Sequence, residues 1–427
     1  MLDKYWNITK REGGYFWRHF KTYCKWVVIS VLFGLVMGLV CVAFSYCLGF
    51  FTTFRQAHGD IIWCLPLAGL FIAFLYQTFD KPTKAGHKGT NMVLAAVNSD
   101  EQISFRTTPL IFVSTLISHL FGASVGREGA ALQMGASMGS TLAKVFHVNE
   151  NDKRILIMTG MSAAFAGLFG APVTAAIFSM EVISVGVMYY AALVPCTIAG
   201  LTSVYIAKLL GVNYDVYRVD LIPDFTPYTA TMTMLLGVGC AVISIVLCLT
   251  LVASERFMNT VFQSPYVQIF VAGTMVSILT MLVGNQDYNG FGAGVIMAAV
   301  TGRAVWYAFL LKIVFTAISL SGGYRGGEII PSLFIGAAFG CAVGPLLGLP
   351  AGLCAAMGMI AVFCGVTNSP IASFVMGLEL FGSQSIWFFA IVVAVSYMLS
   401  GYYGIYKSQI IIYSKYKTSY IRQKTLR

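Results

Sequence analysis

The residues of this chain best placed to do chemistry are acids flanked by glycine in otherwise apolar surroundings. Glu128 lies in Gly126-Arg127-Glu128-Gly129-Ala130, and Glu328 in Gly326-Gly327-Glu328-Ile329-Ile330-Pro331. Glycine lets the backbone approach a ligand closely, and a helix starting at such a break offers unpaired N–H groups and a positive partial charge, which together make an anion site. The same site can hold the carboxylate of Glu128. A position that takes either a carboxylate or a free anion couples the two by competition. The side chain must be protonated and leave before the anion enters, a physical route to anion/proton exchange. The plainer reading, an acid that merely stabilises a helix dipole, is common in soluble proteins and less so at a Gly-flanked break in an apolar segment. Arg127 could bind the anion through its guanidinium, but a structural ion pair with an acid on another segment is the favoured expectation. Glu328 is expected to line the same cavity as Glu128, and Glu181 and Glu379 to be structural or interfacial.

Gly122-Ala123-Ser124-Val125-Gly126 also fits the GxSxG pattern of a serine nucleophile, with His119 five residues upstream. That pattern requires a strand-to-helix elbow. Here it falls in an apolar segment with no evident acid partner, so a hydrolase using Ser124 is a remote alternative and His119 is expected to be packing or interfacial.

The elements that must position these residues follow from composition. Of 427 residues, 58% are hydrophobic and 10% are charged. That excludes a soluble, nucleic-acid-binding or disordered chain. Charge-free runs cover 26–54, 61–79, 107–126, 155–180, 182–207, 225–254, 257–286, 329–378 and 380–406. Most can cross the roughly 30 Å of hydrocarbon as helices, and none has the alternation of a transmembrane barrel. The net charge of +10 arises at the ends, where 1–25 and 407–427 carry 12 bases against 2 acids, leaving 15 of each between. Basic flanks stay cytoplasmic, so both termini are expected there, with an even number of crossings and contact with anionic lipid. The 10 cysteines show no CxxC and no Cys/His cluster, so they are read as buried hydrophobes; no metal and no cofactor are expected. The basic start leads into a 29-residue apolar run without a small-residue cleavage site, which reads as a first transmembrane helix and not a signal peptide.

The chain repeats itself. GMSAAFAGLFGAPVTAAIFSMEVIS at 160–184 aligns without a gap on GMIAVFCGVTNSPIASFVMGLELFG at 358–382, sharing Pro172/Pro370 and Glu181/Glu379 among seven identities in the segment up to the glutamates. The breaks at Glu128 and Glu328 lie upstream of each copy, so two whole halves are duplicated, as in many transporters. The run 329–378 holds Pro331, Pro345, Pro350 and Pro370 and must divide into short or partly spanning helices. Glycines at 336, 340, 344 and 348 make a small-residue stripe suited to close helix packing. The repeat alone leaves parallel and inverted arrangements open.

These motifs resemble the CLC family of anion channels and anion/proton antiporters: GxSxGREGA, the later GGEIIPSLFIGA break and the duplication, over roughly Trp26 to Lys407. The resemblance implies an all-α polytopic membrane protein with an inverted two-fold repeat of tilted and broken helices. It also implies a homodimer whose subunits each hold a complete pathway. Glu128 would be the gating, proton-transferring glutamate and Tyr406, in Gly404-Ile405-Tyr406, the central tyrosine facing the anion. Chloride-type members carry Gly-Ser-Gly-Ile-Pro where this chain reads Gly89-Thr90-Asn91-Met92-Val93-Leu94. It is therefore similar to the fluoride-exporting branch, in which methionine replaces the chloride-coordinating serine; a thioether cannot donate the hydrogen bond of a hydroxyl. GREGA in place of GREGP and Glu328 point the same way. Val182 stands where chloride antiporters have an internal proton glutamate, and Ile330 where the fluoride branch often has threonine.

The expected organisation is a cytoplasmic N-terminus at 1–25, a first half at 26–207, a linker at 208–228, a second half at 229–406 and a cytoplasmic tail at 407–427, with no regulatory cytoplasmic domain. The expected function is a proton-coupled fluoride exporter in the cell membrane, and not an enzyme. Anion binding is expected at Asn91, Met92, Gly126, Arg127, Gly129, Gly327, Glu328, Ile329, Ile330 and Tyr406. The partners are fluoride or other halides, protons, lipid and a second copy, with no nucleic acid. The alternative of the same fold is a chloride/proton antiporter or chloride channel. A pure scaffold is disfavoured, because intramembrane acids cost stability without a role.

Overall fold

The computed structural model describes residues 2–79, 89–98, 103–214 and 217–426, with side chains from residue 16 onward. Residues 215 and 216 of the expected linker at 208–228 lie outside the described residues. The first half comprises α1 (Leu2–Ala57), α2 (Leu65–Phe79), α3 (Thr90–Asn98), α4 (Thr107–Leu120), α5 (Glu128–Val145), α6 (Glu150–Phe169), α7 (Pro172–Glu181), strand β1 (Ser184–Val185) and α8 (Leu193–Leu209). The second comprises α9 (Pro227–Val261), α10 (Pro265–Val283), α11 (Ala293–Val300), α12 (Ala308–Gly322), α13 (Ile329–Val343), α14 (Ala351–Thr367), α15 (Pro370–Phe381) and α16 (Ile386–Leu399), then β2 (Ile410–Tyr413) and β3 (Tyr420–Lys424). Six helical stretches among the described residues are long and apolar enough to cross a membrane, and several apolar helices of 10–17 residues are too short to do so alone. The mixture follows from where the breakers sit. Pro172, Pro265 and Pro370 each open a helix at its first turn, where the missing N–H costs nothing. The apolar run 329–378 divides as its prolines require, with Asn368 in the left-handed region (φ 58°) ending α14. Helix α1 runs unbroken from the basic start through Trp26, so the polar and apolar parts of the N-terminus form one element.

The two halves pack by the same contacts. A Cβ at Gly135 on α5 would strike the carbonyl of Gly160 on α6, and one at Gly336 on α13 would strike that of Gly358 on α14. Gly139 against Leu156 and Gly340 against Cys354 repeat the relation one turn on. Only glycine allows backbones this close, which is how helices gain dispersion contacts where lipid is as apolar as they are. The stripe of the sequence holds for Gly336, Gly340 and Gly344. Gly348 departs from it: its φ of 67° terminates a short turn and faces the Tyr228 hydroxyl.

Reciprocal contacts join the halves. The Glu181 carboxylate accepts from the amides of Ile371 (3.1 Å) and Ala372 (2.8 Å) at the start of α15, and Glu379 accepts from Val173 (3.0 Å) and Thr174 (2.7 Å) at the start of α7. Each repeated acid therefore caps the other repeat's helix. Gly126 and Gly327 exchange N–H···O bonds of 2.8 Å in an antiparallel bridge. When residue i of one unit meets j of the other and j meets i in return, the units are related by a two-fold axis. The fold is thus the inverted repeat of broken helices, with the N-termini of α5 and α13 converging at its centre.

Three short strands add to the helical expectation. β1 pairs in parallel with β2, and β2 antiparallel with β3. The basic C-terminal segment is therefore a packed hairpin. Fully buried Gln409 anchors it, donating to the carbonyls of Val182 (2.9 Å) and Thr367 (2.8 Å) and accepting from Asn368 (3.0 Å).

The reciprocal caps carry a prediction. Hydrogen bonds to a charged acceptor contribute about 1.5–3 kcal/mol each when buried. Glu181 is buried and Glu379 exposed, so Glu181→Ala should lower unfolding stability in detergent by about 2–4 kcal/mol. Glu379→Ala should cost under about 1 kcal/mol, the range of a solvent-exposed helix cap. Thermal unfolding of the two purified variants checks the ordering.

Candidate functional site

Glu128 opens α5 directly after the Gly126–Gly327 bridge, and its side chain turns back across that bridge. It is fully buried. Its Oε1 accepts from the amide of Ile330 in the first turn of α13 at 2.9 Å. Its Oε2 is buried without a hydrogen-bond partner. One half of the molecule thus supplies a carboxylate and the other the helix N-terminus that holds it, an anion site by backbone amides and helix dipole. The glycines are required by space. A Cβ at Gly126 would overlap both carboxylate oxygens, and one at Gly327 would overlap Oε1 and the Gly129 amide. A Cβ at Gly129 would strike the Gly327 Cα and the Gly326 carbonyl.

A cavity of about 660 Å³ approaches this centre, lined among others by Asn91, Met92, Gln133, Arg325, Gly327 and Glu328. Its wall also includes Glu255 and Lys407, a part-exposed ion pair of 2.6 Å. Met92 is mostly buried on α3, and Asn91 Oδ1 accepts from the Ser408 amide at 3.0 Å. That bond ties α3 to the segment carrying Tyr406. Tyr406 is buried, its carbonyl accepting from Thr425 Oγ1 at 2.6 Å, and it is not part of this cavity's wall. Gln133 was not singled out by sequence; its Nε2 donates to the Gly129 carbonyl at 2.9 Å, bracing the turn that carries Glu128.

Two expectations are corrected. Glu328 lines the large cavity, whose wall includes Gly327 but not Glu128. Arg127 donates to the Leu168 carbonyl (3.2 Å) and lies over the rings of Phe169 (6.0 Å) and Phe291 (5.4 Å). No ion pair with an acid is found for it among the described residues. Rings satisfy a guanidinium in a dry setting as cation–π partners. Arg127 and Ile330 instead line a second, small cavity of about 40 Å³, with Tyr214, Tyr217 and Phe291. Ser124 lies between two helices and not after a strand; it is fully buried, with its Oγ 3.2 Å from Thr316 Oγ1. The sequence reading also passed over Lys312, the one charged residue between Arg303 and Arg325. The rule applied to the acids, that an intramembrane charge marks a pathway or a partner, would have found it.

Residues 68–401 match the family described as voltage gated chloride channel, and the chain belongs to that CLC family of membrane transporters and channels. A chloride/fluoride channel protein of Pseudomonas syringae pv. tomato is 33% identical over 399 residues, spanning 92% of this chain and 88% of the relative. The solved structure of a CLC-type fluoride/proton antiporter superposes with a TM-score of 0.85 at 32% identity, over 90% of this chain and 98% of that one. A slow cyanobacterial chloride/proton antiporter shares the fold, with a TM-score of 0.77 at 17% identity over 88% of this chain and 94% of that one.

The glycine geometry separates two substitutions. In Gly126→Ala the three atoms nearest the added carbon all belong to the end of the flexible Glu128 side chain, so the carboxylate should be displaced from the Ile330 amide with the backbone unshifted, at the cost of one buried bond, about 1.5–3 kcal/mol. In Gly129→Ala it meets backbone, and stability should fall by about 1–3 kcal/mol, as for other overpacked interiors. A structure of the first variant and thermal unfolding of both provide the check.

Proposed function

We propose that this chain is a proton-coupled fluoride exporter, a fluoride/proton antiporter of CLC type and not an enzyme. It would work as a homodimer with a complete pathway in each subunit, in the cell membrane with both termini cytoplasmic. The observation that carries the reading is the Glu128 carboxylate of one half held by the Ile330 amide of the other, with its second oxygen unpartnered. A proton arriving at Oε2 neutralises the side chain and removes its advantage at the α13 N-terminus. The side chain then leaves, and the anion takes the amides it vacates. Deprotonation reverses the exchange, so one proton-bearing group and the anion alternate at one position. Asn91, Met92, Gly327 and Glu328 line the approach, Gly126, Gly129, Ile329 and Ile330 shape the exchange position, and Tyr406 and Arg127 flank it.

Selection of fluoride over chloride is supported by Met92 in place of a hydroxyl donor, and by the identity of 32% with a CLC-type fluoride/proton antiporter. Relatives at 24% identity include H+/Cl− exchange transporters, and chloride/proton exchange is the second reading. The basic residues at both ends support a cytoplasmic position for the termini.

Glu128→Gln mimics the protonated side chain and should abolish proton coupling, with proton uptake falling at least tenfold relative to anion flux. Efflux from proteoliposomes loaded with fluoride or chloride, with proton uptake recorded in parallel, measures it; stoichiometric proton uptake in that variant would falsify the mechanism. In the same assay the wild type should pass fluoride with little chloride, and Met92→Ser should move selectivity towards chloride. Ser124→Ala should leave transport unaltered, and a serine-reactive probe should not label the protein.

A further inference from the structure

Cations inside this fold are held by oxygen. Lys312 Nζ on α12 donates to the carbonyls of Tyr288 (3.0 Å) and Gly290 (2.7 Å), Arg55 to that of His119 (3.1 Å) and Arg127 to that of Leu168 (3.2 Å). Arg325, half-buried on the wall of the large cavity, differs from all three. Its guanidinium lies over the ring of Tyr76 on α2, 3.7 Å from the ring centre, and Tyr76 lines the same cavity. Its side chain has no hydrogen bond or ion pair among the described residues, and its Nε is buried without a partner. A guanidinium is always charged and carries five donors in its plane, so stacking on a ring occupies its face and leaves the donors at its edge. The backbone around it is fixed. The Tyr324 hydroxyl donates to the Leu65 carbonyl of α2 at 2.8 Å, the Arg325 amide donates to Ser118 Oγ on α4 at 3.2 Å, and Gly327 is bridged to Gly126. The other charges on that wall, among the described residues, are Glu255, Glu328 and Lys407. Glu255 and Lys407 compensate each other at 2.6 Å.

We propose that Arg325 is a second anion-binding position, a recruiting site in the large cavity for a halide-sized monovalent anion on its way to or from the Glu128 exchange position. Its charge has no acid partner among the described residues, its donor edge is unspent, and α2 holds both the ring beneath it and the loop that carries it. Such a group is preorganised and needs no rearrangement to receive an anion. The site also lies close to the exchange position. The Cα atoms of Arg325 and Gly327 are at most about 7 Å apart along the chain, and a Cβ at Gly327 would overlap Glu128 Oε1. An anion at Arg325 therefore stands next to the exchange position without occupying it. Glu328, on the same wall, repels an entering anion, and Arg325 offsets that repulsion. A single cation without an enclosing shell also binds weakly enough to let the anion go, as a transit site must.

This role rests on the anion path of the antiport reading, and it predicts a dependence on charge that a cation–π brace alone would not produce. Initial fluoride efflux from proteoliposomes is measured against fluoride concentration at low and high ionic strength, the latter set with potassium gluconate. Arg325→Gln should raise the half-saturating fluoride concentration about tenfold at low ionic strength, the effect of one unit charge at roughly 10 Å in a protein-lined space, and change the maximal flux less. The difference should shrink below about twofold at roughly 0.5 M, where charges are screened within about 5 Å. Arg325→Lys keeps the charge and should stay within about threefold of wild type at both ionic strengths. Arg325→Met should match Arg325→Gln, and it replaces that variant should R325Q not yield monodisperse protein. Half-saturation within about twofold of wild type in the neutral variants at low ionic strength, or equal loss in R325K and the neutral variants, overturns the inference. So does a wild type whose half-saturation does not rise with ionic strength, a result that needs no variant to fold. Glu128→Gln run alongside keeps the two readings apart. Retained proton coupling there removes the antiport mechanism and leaves Arg325 to be judged by the half-saturation series. Wild-type flux of chloride without fluoride removes the fluoride reading, and the same series in chloride then decides the role of Arg325.

Discussion

Everything else in this molecule is arranged around one hydrogen bond, from the Ile330 amide to the Glu128 carboxylate. Its donor and acceptor come from different halves of the chain. For them to meet, the N-termini of α5 and α13 must converge from opposed directions, which a tandem parallel arrangement of two identical folds would not produce. The Gly126–Gly327 bridge sets the distance, and the two glycines leave the volume that the carboxylate fills. Further out, the Glu181 and Glu379 caps hold α7 and α15 in the same two-fold relation, and the glycine seams of α5 on α6 and α13 on α14 fix the helices behind each N-terminus.

Much of this was legible in the residues and some was not, for physical reasons. Charge-free runs and Gly/Pro breaks report local free energies, the cost of a charge in hydrocarbon and of an interrupted helix, so membrane class and broken helices could be read directly. The Glu128 break was legible for the same reason. Relative orientation is not a local property. The repeat revealed that Glu181 and Glu379 are equivalent, but not that each caps the other's helix, because that needs the two-fold axis. Arg127 was misjudged because charge invites an ion pair, while the fold brought it two aromatic rings and a carbonyl. Gly348 fits the four-residue period yet serves as a left-handed terminator, since spacing alone cannot tell a packing glycine from a conformational one. The two-residue β1 and the hairpin at 410–424 carry no periodic signal. They exist because Gln409 and Asn368 find backbone partners only in the assembled fold.

The position of Val182 constrains how a proton could reach Glu128 on the antiport reading. Val182 is fully buried and cannot titrate, and its carbonyl is taken by Gln409, so the wall at that point is closed by the C-terminal hairpin. The large cavity offers the shorter course. It extends to Gly327, the residue whose added Cβ would overlap Glu128 Oε1. A space of that size with Asn91, Gln133 and Glu328 on its wall is polar and roomy enough to hold several waters. The wall of that space at Gly327 is one residue from Glu128. The remaining barrier is the glycine bridge, which the Glu128 side chain itself spans. A dedicated titratable relay is needed only where water-accessible space stops far from the gate, and on the antiport reading the cavity that reaches Gly327 shortens that distance.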